Sequence, residues 1–337
     1  MSRLVFITQR VDRADPVLGA TIAKIEALAR RVEAVDVLAQ HASPGPLPAN
    51  VRVRTFGASD RARRALRFER LLASALSPRP LGVVAHMIPI YVVLAAPLVR
   101  PRRIPLVLWY THWRAHATLR LAERLATAVL SVDRRSFPFE SPKVRPIGHG
   151  IDVSAFGCVD RNGSRALRAL VLGRYSPAKG IPTILQAVRA ARDAGVDVDV
   201  ELHGTAGSEL ERAHRRDLER LGFPLGDAVP HTELPALFAG ADVLVNNMQA
   251  GSPDKIVYEA AAACLPVLAS NPVFDELFDG LPLSFARDDP QSLARRLEEL
   301  SAMTPAERAE VGRTLRERVV ERHSVDTWAD GVLAALR

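Results

Sequence analysis

Only two cysteines, Cys158 and Cys264, occur in 337 residues. Two cysteines so far apart give neither a disulfide framework nor a metal knuckle, so a reducing cytoplasm is the expected setting. Aromatic residues are scarce as well, at 5%. Without rings interleaved among its arginines the chain offers no stacking platform for bases, which speaks against nucleic acid as a partner. No apolar run reaches the ~20 residues of a membrane span, and the longest, Met87 to Val99, is interrupted by two prolines. The opening segment Met1 to Thr8 turns polar after one strand's length, unlike a signal peptide. A soluble chain is expected. Lysine is rare too: Lys24, Lys143, Lys179 and Lys255 are the only four among 45 basic residues. With no cluster of His and Cys, no dedicated metal site is expected.

What is present is ordinary globular material, 48% hydrophobic and 25% charged, long enough for two domains with full cores. Charge is unevenly placed. Residues 1–155 hold 24 Lys+Arg against 11 Asp+Glu, and the remainder holds 21 against 27. Such asymmetry points the first half toward an anionic partner, such as a phospholipid surface or a phosphorylated acceptor. The stretch "DRARRALRFERLLASAL" sets Arg61, Arg64 and Arg67 at helical spacing beside Leu66, Leu71 and Leu72. A peripheral contact with anionic membrane is one expectation from it, and a packed helix with a solvated charged face is the plainer one.

Apolar runs of strand length alternate with longer helical patterns through most of the chain, which is the texture of βαβ units and parallel sheets. Runs such as "PLVLWY", apolar without alternation, fit strands covered on both faces. The pattern predicts an α/β protein of two Rossmann-like, doubly wound domains, residues 1–150 and 167–337, with a Gly-, Pro- and Ser-rich linker at 151–166. The first helix is expected from Val17 to Arg31. Ligands of such sheets lie beyond the carboxyl ends of the strands, so the chemistry belongs to the loops there.

Two loops of the second domain stand out. "GRYSPAKG" places Arg174 and Lys179 between a strand and a helix, offering two cations and free amides to an anion. "GSPDKIVYEAAAACLPVLAS" begins with turn residues and runs into an alanine-rich helix: Ser252 is suited to cap it, Pro253 to open it, and its free amides to meet phosphate oxygens. Glu259 is the one acid on that apolar helix. A buried carboxylate needs partners, and hydroxyl or amide groups are expected. The pair Asp197 and Asp199 belongs to an alternating strand rather than a metal motif. "GHG" and "GTAG" lack the third glycine of a dinucleotide fingerprint. His86 and His112 follow strands of the first domain, where a ligand edge opens.

"GRYSPAKG" resembles the G-R-x4-K-G segment, and "YEAAAACLPVLAS" the E-A-x-A-x-G-x-P-V segment, of retaining GT-B glycosyltransferases, specifically glycosyltransferase family 4. "IGHGIDVSAF" resembles the hinge of that family, and "HTELPALFAGADVLVNN" the helix and strand before its donor loop. The resemblance implies a GT-B fold with two domains facing each other across a cleft. It implies transfer of a sugar, with retention and without metal or other cofactor, from a nucleotide diphosphate sugar to a saccharide, lipid-linked or small-molecule acceptor. Arg174 and Lys179 would hold the diphosphate and Glu259 the ribose. The rest of the donor would lie against Gly173 and the helix start at Ser252, Pro253, Asp254, Lys255 and Ile256. The base would lie near Pro230 and His231. His112 would face the reacting sugar, with Gly19 and His86 on the acceptor side. Where the family carries a first Glu, eight positions before Glu259, this chain has Gly251. A sugar-nucleotide 2-epimerase and a binding homologue without transferase activity share the architecture and remain as alternatives.

Overall fold

The computed structural model describes residues 2–15, 18–161 and 166–337. Val17, the expected start of the first helix, and positions 162–165 of the expected linker lie outside them. The chain forms two compact units, Met1–Asp152 with Arg322–Arg337, and Val153–Glu321. The final segment, read from sequence as part of the second domain, therefore packs with the first.

The first unit runs β1 (Arg3–Asp12), α1 (Thr21–Ala29), β2 (Ala34–Ser43), β3 (Val51–Thr55), α2 (Arg61–Ala75), β4 (Gly82–His86), α3 (Pro89–Val99), β5 (Leu106–Trp109), α4 (Ala117–Leu125), β6 (Ala128–Ser131) and β7 (Val144–Pro146). Its seven strands lie in the order β3-β2-β1-β4-β5-β6-β7, all parallel. The middle strands have apolar centres, as strands covered on both faces do, and Leu4, Val5, Phe6 and Ile7 of β1 are fully buried. α2 starts where the Asp60 carboxylate accepts from Ala62 N and Arg63 N at 3.3 and 2.7 Å. Its buried face, Phe68, Leu72 and Ala75, joins Phe56 and Tyr91, whose rings each lie 5.2 Å from that of Phe68. Burial of each such side chain contributes ~1.5–3 kcal/mol. The arginines of α2 stay on the outer face.

The second unit runs β8 (Leu167–Leu172), α5 (Ile181–Asp193), β9 (Val198–Gly204), α6 (Glu209–Glu219), β10 (Gly226–Asp227), α7 (Leu234–Gly240), β11 (Val243–Asn246), α8 (Lys255–Ala262), β12 (Val267–Ala269), α9 (Asp275–Phe278), α10 (Pro290–Ala302) and most of α11 (Pro305–His323). The last helix, α12 (Val325–Ala335), belongs to the first unit and contacts α1. The second sheet is parallel, in the order β10-β9-β8-β11-β12. Its strand order reverses between β8 and β11, which makes their carboxyl ends the natural place for a ligand. β9 alternates buried Val198 and Leu202 with exposed Asp199 and Glu201, the half-exposed strand expected of this stretch.

The cysteines correct one expectation. Cys158 and Cys264 are paired as a disulfide, with Cα atoms 5.0 Å apart, because the fold closes a separation of 106 residues. Cys264 ends the turn after α8, and two arginines satisfy the carbonyls there. Arg161 donates to Ala263 O and Cys264 O, and Arg316 to Ala262 O. A helix C-terminus leaves carbonyls without intrahelical partners, and cations are favourable at that end.

Candidate active site

At the reversal point of the second sheet, β8 is followed by Gly173 with φ +138°. A Cβ at this position would lie 2.5 Å from Lys179 Nζ, so the missing side chain makes room for the ammonium. Lys179 is pinned from above β8 by Leu172 O at 3.4 Å and forms an ion pair with the carboxylate of Asp254, both side chains mostly buried. Asn246, at the end of β11, donates to the same Asp254 oxygen at 2.8 Å. Asn247 donates to Gly180 O at 3.1 Å, and Gln249 N to Ala178 O at 3.1 Å. The cation-bearing loop and the loop before α8 are thus laced together. The cavity among Gly173, Lys179 and Asn246 is small, about 10 Å³.

The start of α8 differs from expectation. Asp254, not Ser252, is the N-cap, and its side chain caps no amide because it is engaged with Lys179 and Asn246. Ser252 and Pro253 stay outside the helix. The reason is Asn271, buried at the end of β12, which donates to Gln249 O and Ser252 O at 2.9 and 2.8 Å and keeps this backbone out of helical register. Lys255 and Ile256 then form the first turn.

Glu259 sits one turn further in, 2% exposed. Its partners are not hydroxyls or amides: Oε1 meets His231 Nε2 at 2.7 Å and Lys255 Nζ at 2.8 Å. Burial alone would raise this carboxyl, but Lys255 and the bond to His231 outweigh it and hold the group below its ordinary value. Oε2 is buried without a partner among the described residues. Pro230 caps the short turn that carries His231.

Arg174, the most exposed of these groups, lies 3.5 Å from Glu211 Oε1. Glu211 closes a capping box at the start of α6, accepting from Gly207 N and Ser208 N, and its pKa is lowered because these amides and Arg174 outweigh its burial. The second unit thus brings together Gly173, Lys179, Asp254, Lys255, Glu259 and His231, with Arg174 at the rim. Glu211, Asn246, Asn247 and Asn271 were not singled out from sequence; the Asn doublet closing an apolar strand in "VLVNN" is a signal for Asn246 and Asn247.

The remaining candidates belong to the first unit. His86 ends β4, beside β1 where that sheet's order reverses, and Met87 after it has φ +66°. Its Nδ1 is 3.4 Å from Thr8 Oγ1 and Nε2 is buried without a partner among the described residues; burial, with Lys24 nearby, keeps the ring neutral. His112 accepts from Arg114 N at 3.1 Å through Nδ1 and stacks on Trp113. Gly19 has a structural explanation: a Cβ there would press on Asp15 O and Arg13 O at 2.7 and 2.9 Å.

Residues 182–334 match the family model described as glycosyl transferase-like. A search of curated proteins finds no match. Among solved structures, sucrose-phosphate synthase from Thermosynechococcus elongatus is 16% identical with a TM-score of 0.76, covering 98% of this chain and 97% of that one. A glycosyltransferase from Rickettsia africae is 11% identical with a TM-score of 0.76, covering 99% and 98%. Alr3699/HepE from Anabaena, in complex with UDP-glucose, is 16% identical with a TM-score of 0.75, covering 100% and 99%. The fold is therefore the GT-B fold, an α/β architecture of two Rossmann-like units.

Proposed function

We propose that this chain is a retaining, metal-independent glycosyltransferase that moves a sugar from a nucleotide diphosphate donor to a saccharide, lipid-linked or small-molecule acceptor. The observation that carries the reading is at the reversal of the second sheet, where Lys179 and Asn246 both meet one carboxylate, that of Asp254, the residue from which α8 begins. A diphosphate is the external anion that suits two cations and a helix start. Buried Glu259, with one oxygen unfilled, suits the ribose hydroxyls. The glycosyl transferase-like family match and the UDP-glucose in the Anabaena structure support a sugar nucleotide as donor.

As the glycosidic bond breaks, negative charge grows on the leaving diphosphate, and preorganised cations meet it. Lys179 and Arg174 take that role, and the leaving phosphate accepts the proton of the acceptor, so that no second carboxylate is needed. His112 orients the reacting sugar, while His86 and Gly19 belong to the acceptor side. Among the described residues no helix is long and apolar enough to cross a membrane. The outward arginines of α2 would rest on anionic lipid; equal recovery with neutral and anionic vesicles in flotation would remove the lipid contact.

A thermal-shift screen over UDP-, GDP-, ADP- and dTDP-sugars tests the donor. A ligand at a hundred times its dissociation constant adds ~2.7 kcal/mol of stability. If no donor raises Tm, the reading fails. Product analysis then separates transfer from isomerisation of the sugar nucleotide.

A further inference from the structure

The disulfide Cys158–Cys264 sits at a helix end built for another residue. Cys264 takes φ +56°, a left-handed conformation that glycine adopts freely and other residues seldom do. Its N–H bonds to Ala261 O, and the N–H of Leu265 to Ala260 O, both at 3.0 Å. Those paired bonds close a helix at a position where glycine is the usual residue. The pattern E-A-x-A-x-G-x-P-V, which this stretch resembles, has its glycine there. Backbone strain of this kind is kept where a side chain has a task, and what this side chain brings is its sulfur.

The two cysteines differ in access. Cys264 is 3% exposed, whereas Cys158 is exposed, in a run with exposed Gly157, Val159 and Asp160, and the space beside Gly157 is open. The segment around Cys158 is also held to the end of α8 without help from the sulfurs. Arg161 donates to Ala263 O and Cys264 O at 3.2 and 2.9 Å, and Arg316 donates to both Ala262 O and Phe156 O. Opening the bond therefore leaves the two pieces adjacent, ready to close again. From here two routes lead to Glu259. Phe156, two residues before Cys158, is buried with its ring 6.2 Å from that of His231, which meets Glu259 Oε1 at 2.7 Å. Along α8, Ala263 N bonds to Glu259 O at 3.1 Å, next to Cys264.

We propose that Cys158–Cys264 is a reversible thiol-exchange site, opened by an external dithiol, and that the open form holds His231 and Glu259 less firmly for a nucleotide. Exposed disulfides are the labile and regulatory ones, and exposure directs attack to Cys158. A thiolate of the dithiol bonds to the Cys158 sulfur; the Cys158–Cys264 bond breaks, and its electron pair leaves on the Cys264 sulfur, which takes up a proton. The dithiol's second thiolate then attacks the dithiol sulfur of the mixed disulfide, and Cys158 leaves as a thiolate and is protonated. The pair gains two electrons and two protons, and the dithiol becomes a disulfide. The effect on nucleotide rests on the glycosyltransferase reading; the exchange itself does not.

Dithiothreitol, added to the folded, oxidised protein, should raise the titratable thiols from none to two. With glutathione in its place, the mixed disulfide should be found on Cys158, read by peptide mass spectrometry. UDP, GDP, ADP and dTDP are then titrated into both forms. Whichever binds should bind the reduced protein about fivefold or more weakly, the low end of coupling between two sites. Linkage is reciprocal, so that nucleotide should raise by the same factor the ratio of reduced to oxidised dithiothreitol needed to open the bond. Cys264→Gly suits the left-handed backbone and removes the sulfur; it should bind nucleotide like the reduced parent and ignore dithiothreitol. A cross-link with a structural role alone would move Tm and leave affinity where it was. A bond that opens only when the protein unfolds, a glutathione adduct on Cys264, or equal nucleotide affinity of the two forms overturns the proposal. A protein that binds none of the four nucleotides counts against the glycosyltransferase reading instead, and the thiol count and the adduct then decide on the exchange site alone.

Discussion

Glu259 and His231 meet through a single oxygen, His231 Nε2 to Glu259 Oε1 at 2.7 Å, inside a helix whose other inward residues are mostly alanine. Lys255 shares the same oxygen, and the second oxygen is buried without a partner among the described residues. Glu259→Gln keeps the shape and removes the charge that both partners face. Breaking a buried, hydrogen-bonded charge arrangement costs about 3–5 kcal/mol, so Tm should fall. Affinity for sugar nucleotide and for free nucleotide diphosphate should fall together, because the ribose does not change during the reaction. Calorimetric titration of both ligands checks this; loss confined to the sugar nucleotide would place Glu259 elsewhere in the mechanism.

Lys179 and Arg174 should show the opposite pattern. The charge they meet is larger once bond breaking begins, so Lys179→Ala and Arg174→Ala should lose turnover more than affinity. About a hundredfold or more is expected, the scale of removing one preorganised donor. Near-normal turnover in both variants would put the active site in the wrong loops. The structure adds an asymmetry: Lys179 meets Leu172 O and Asp254, whereas Arg174 lies at the rim, more exposed, beside Glu211, so Lys179→Ala should be the more damaging.

Asp254 holds Lys179 in the place where phosphate is expected. Asp254→Asn keeps a partner for Asn246 and removes the competing negative charge. Free nucleotide diphosphate should then bind about tenfold tighter, ~1.4 kcal/mol. Weaker binding would mean that the carboxylate orients Lys179 rather than competing with the ligand.

Acid should loosen the first unit before the second. His323 is lowered to about 4 by burial, with Arg322 adding to the effect, and His86 is also lowered well below its ordinary value by burial and by Lys24. A histidine whose folded pKa is depressed contributes stability above its ordinary value near 6.5 that is lost as pH falls toward the folded value. Each unit of that fall costs about 1.4 kcal/mol per group. Glu259, also depressed, begins to weaken the second unit only below its ordinary 4.5. Trp109, Trp113 and Trp328 all lie in the first unit, so tryptophan fluorescence reports that unit alone. Its denaturation midpoint should decline between pH 6.5 and 4, and a flat profile there would contradict the buried neutral rings.

Much of this was legible beforehand where local pattern and tertiary structure agree. Unbroken apolar runs such as "PLVLWY" mark strands covered on both faces, and a glycine before Arg174 marks a tight turn beside a cation. What could not be read depends on distant pieces of chain. Asn271, 19 positions after Ser252, decides where α8 begins, and overrides the capping preference of Ser252. His231 becomes the partner of Glu259 across 28 positions of chain. The pairing of Cys158 with Cys264 is of the same kind, since spacing says nothing about which loops a fold closes.

α12 lies against α1, and its Trp328 is fully buried, 5.8 Å from the ring of Trp109, with the ammonium of Lys24 over both rings. A protein engineer who wished to exchange the second unit for that of a relative would therefore face two joints rather than one. A graft made at a single cut near 152 would discard the helix that seals Trp109. The two chain ends travel together as one piece, and everything from Val153 to Glu321 behaves as a cassette set into it.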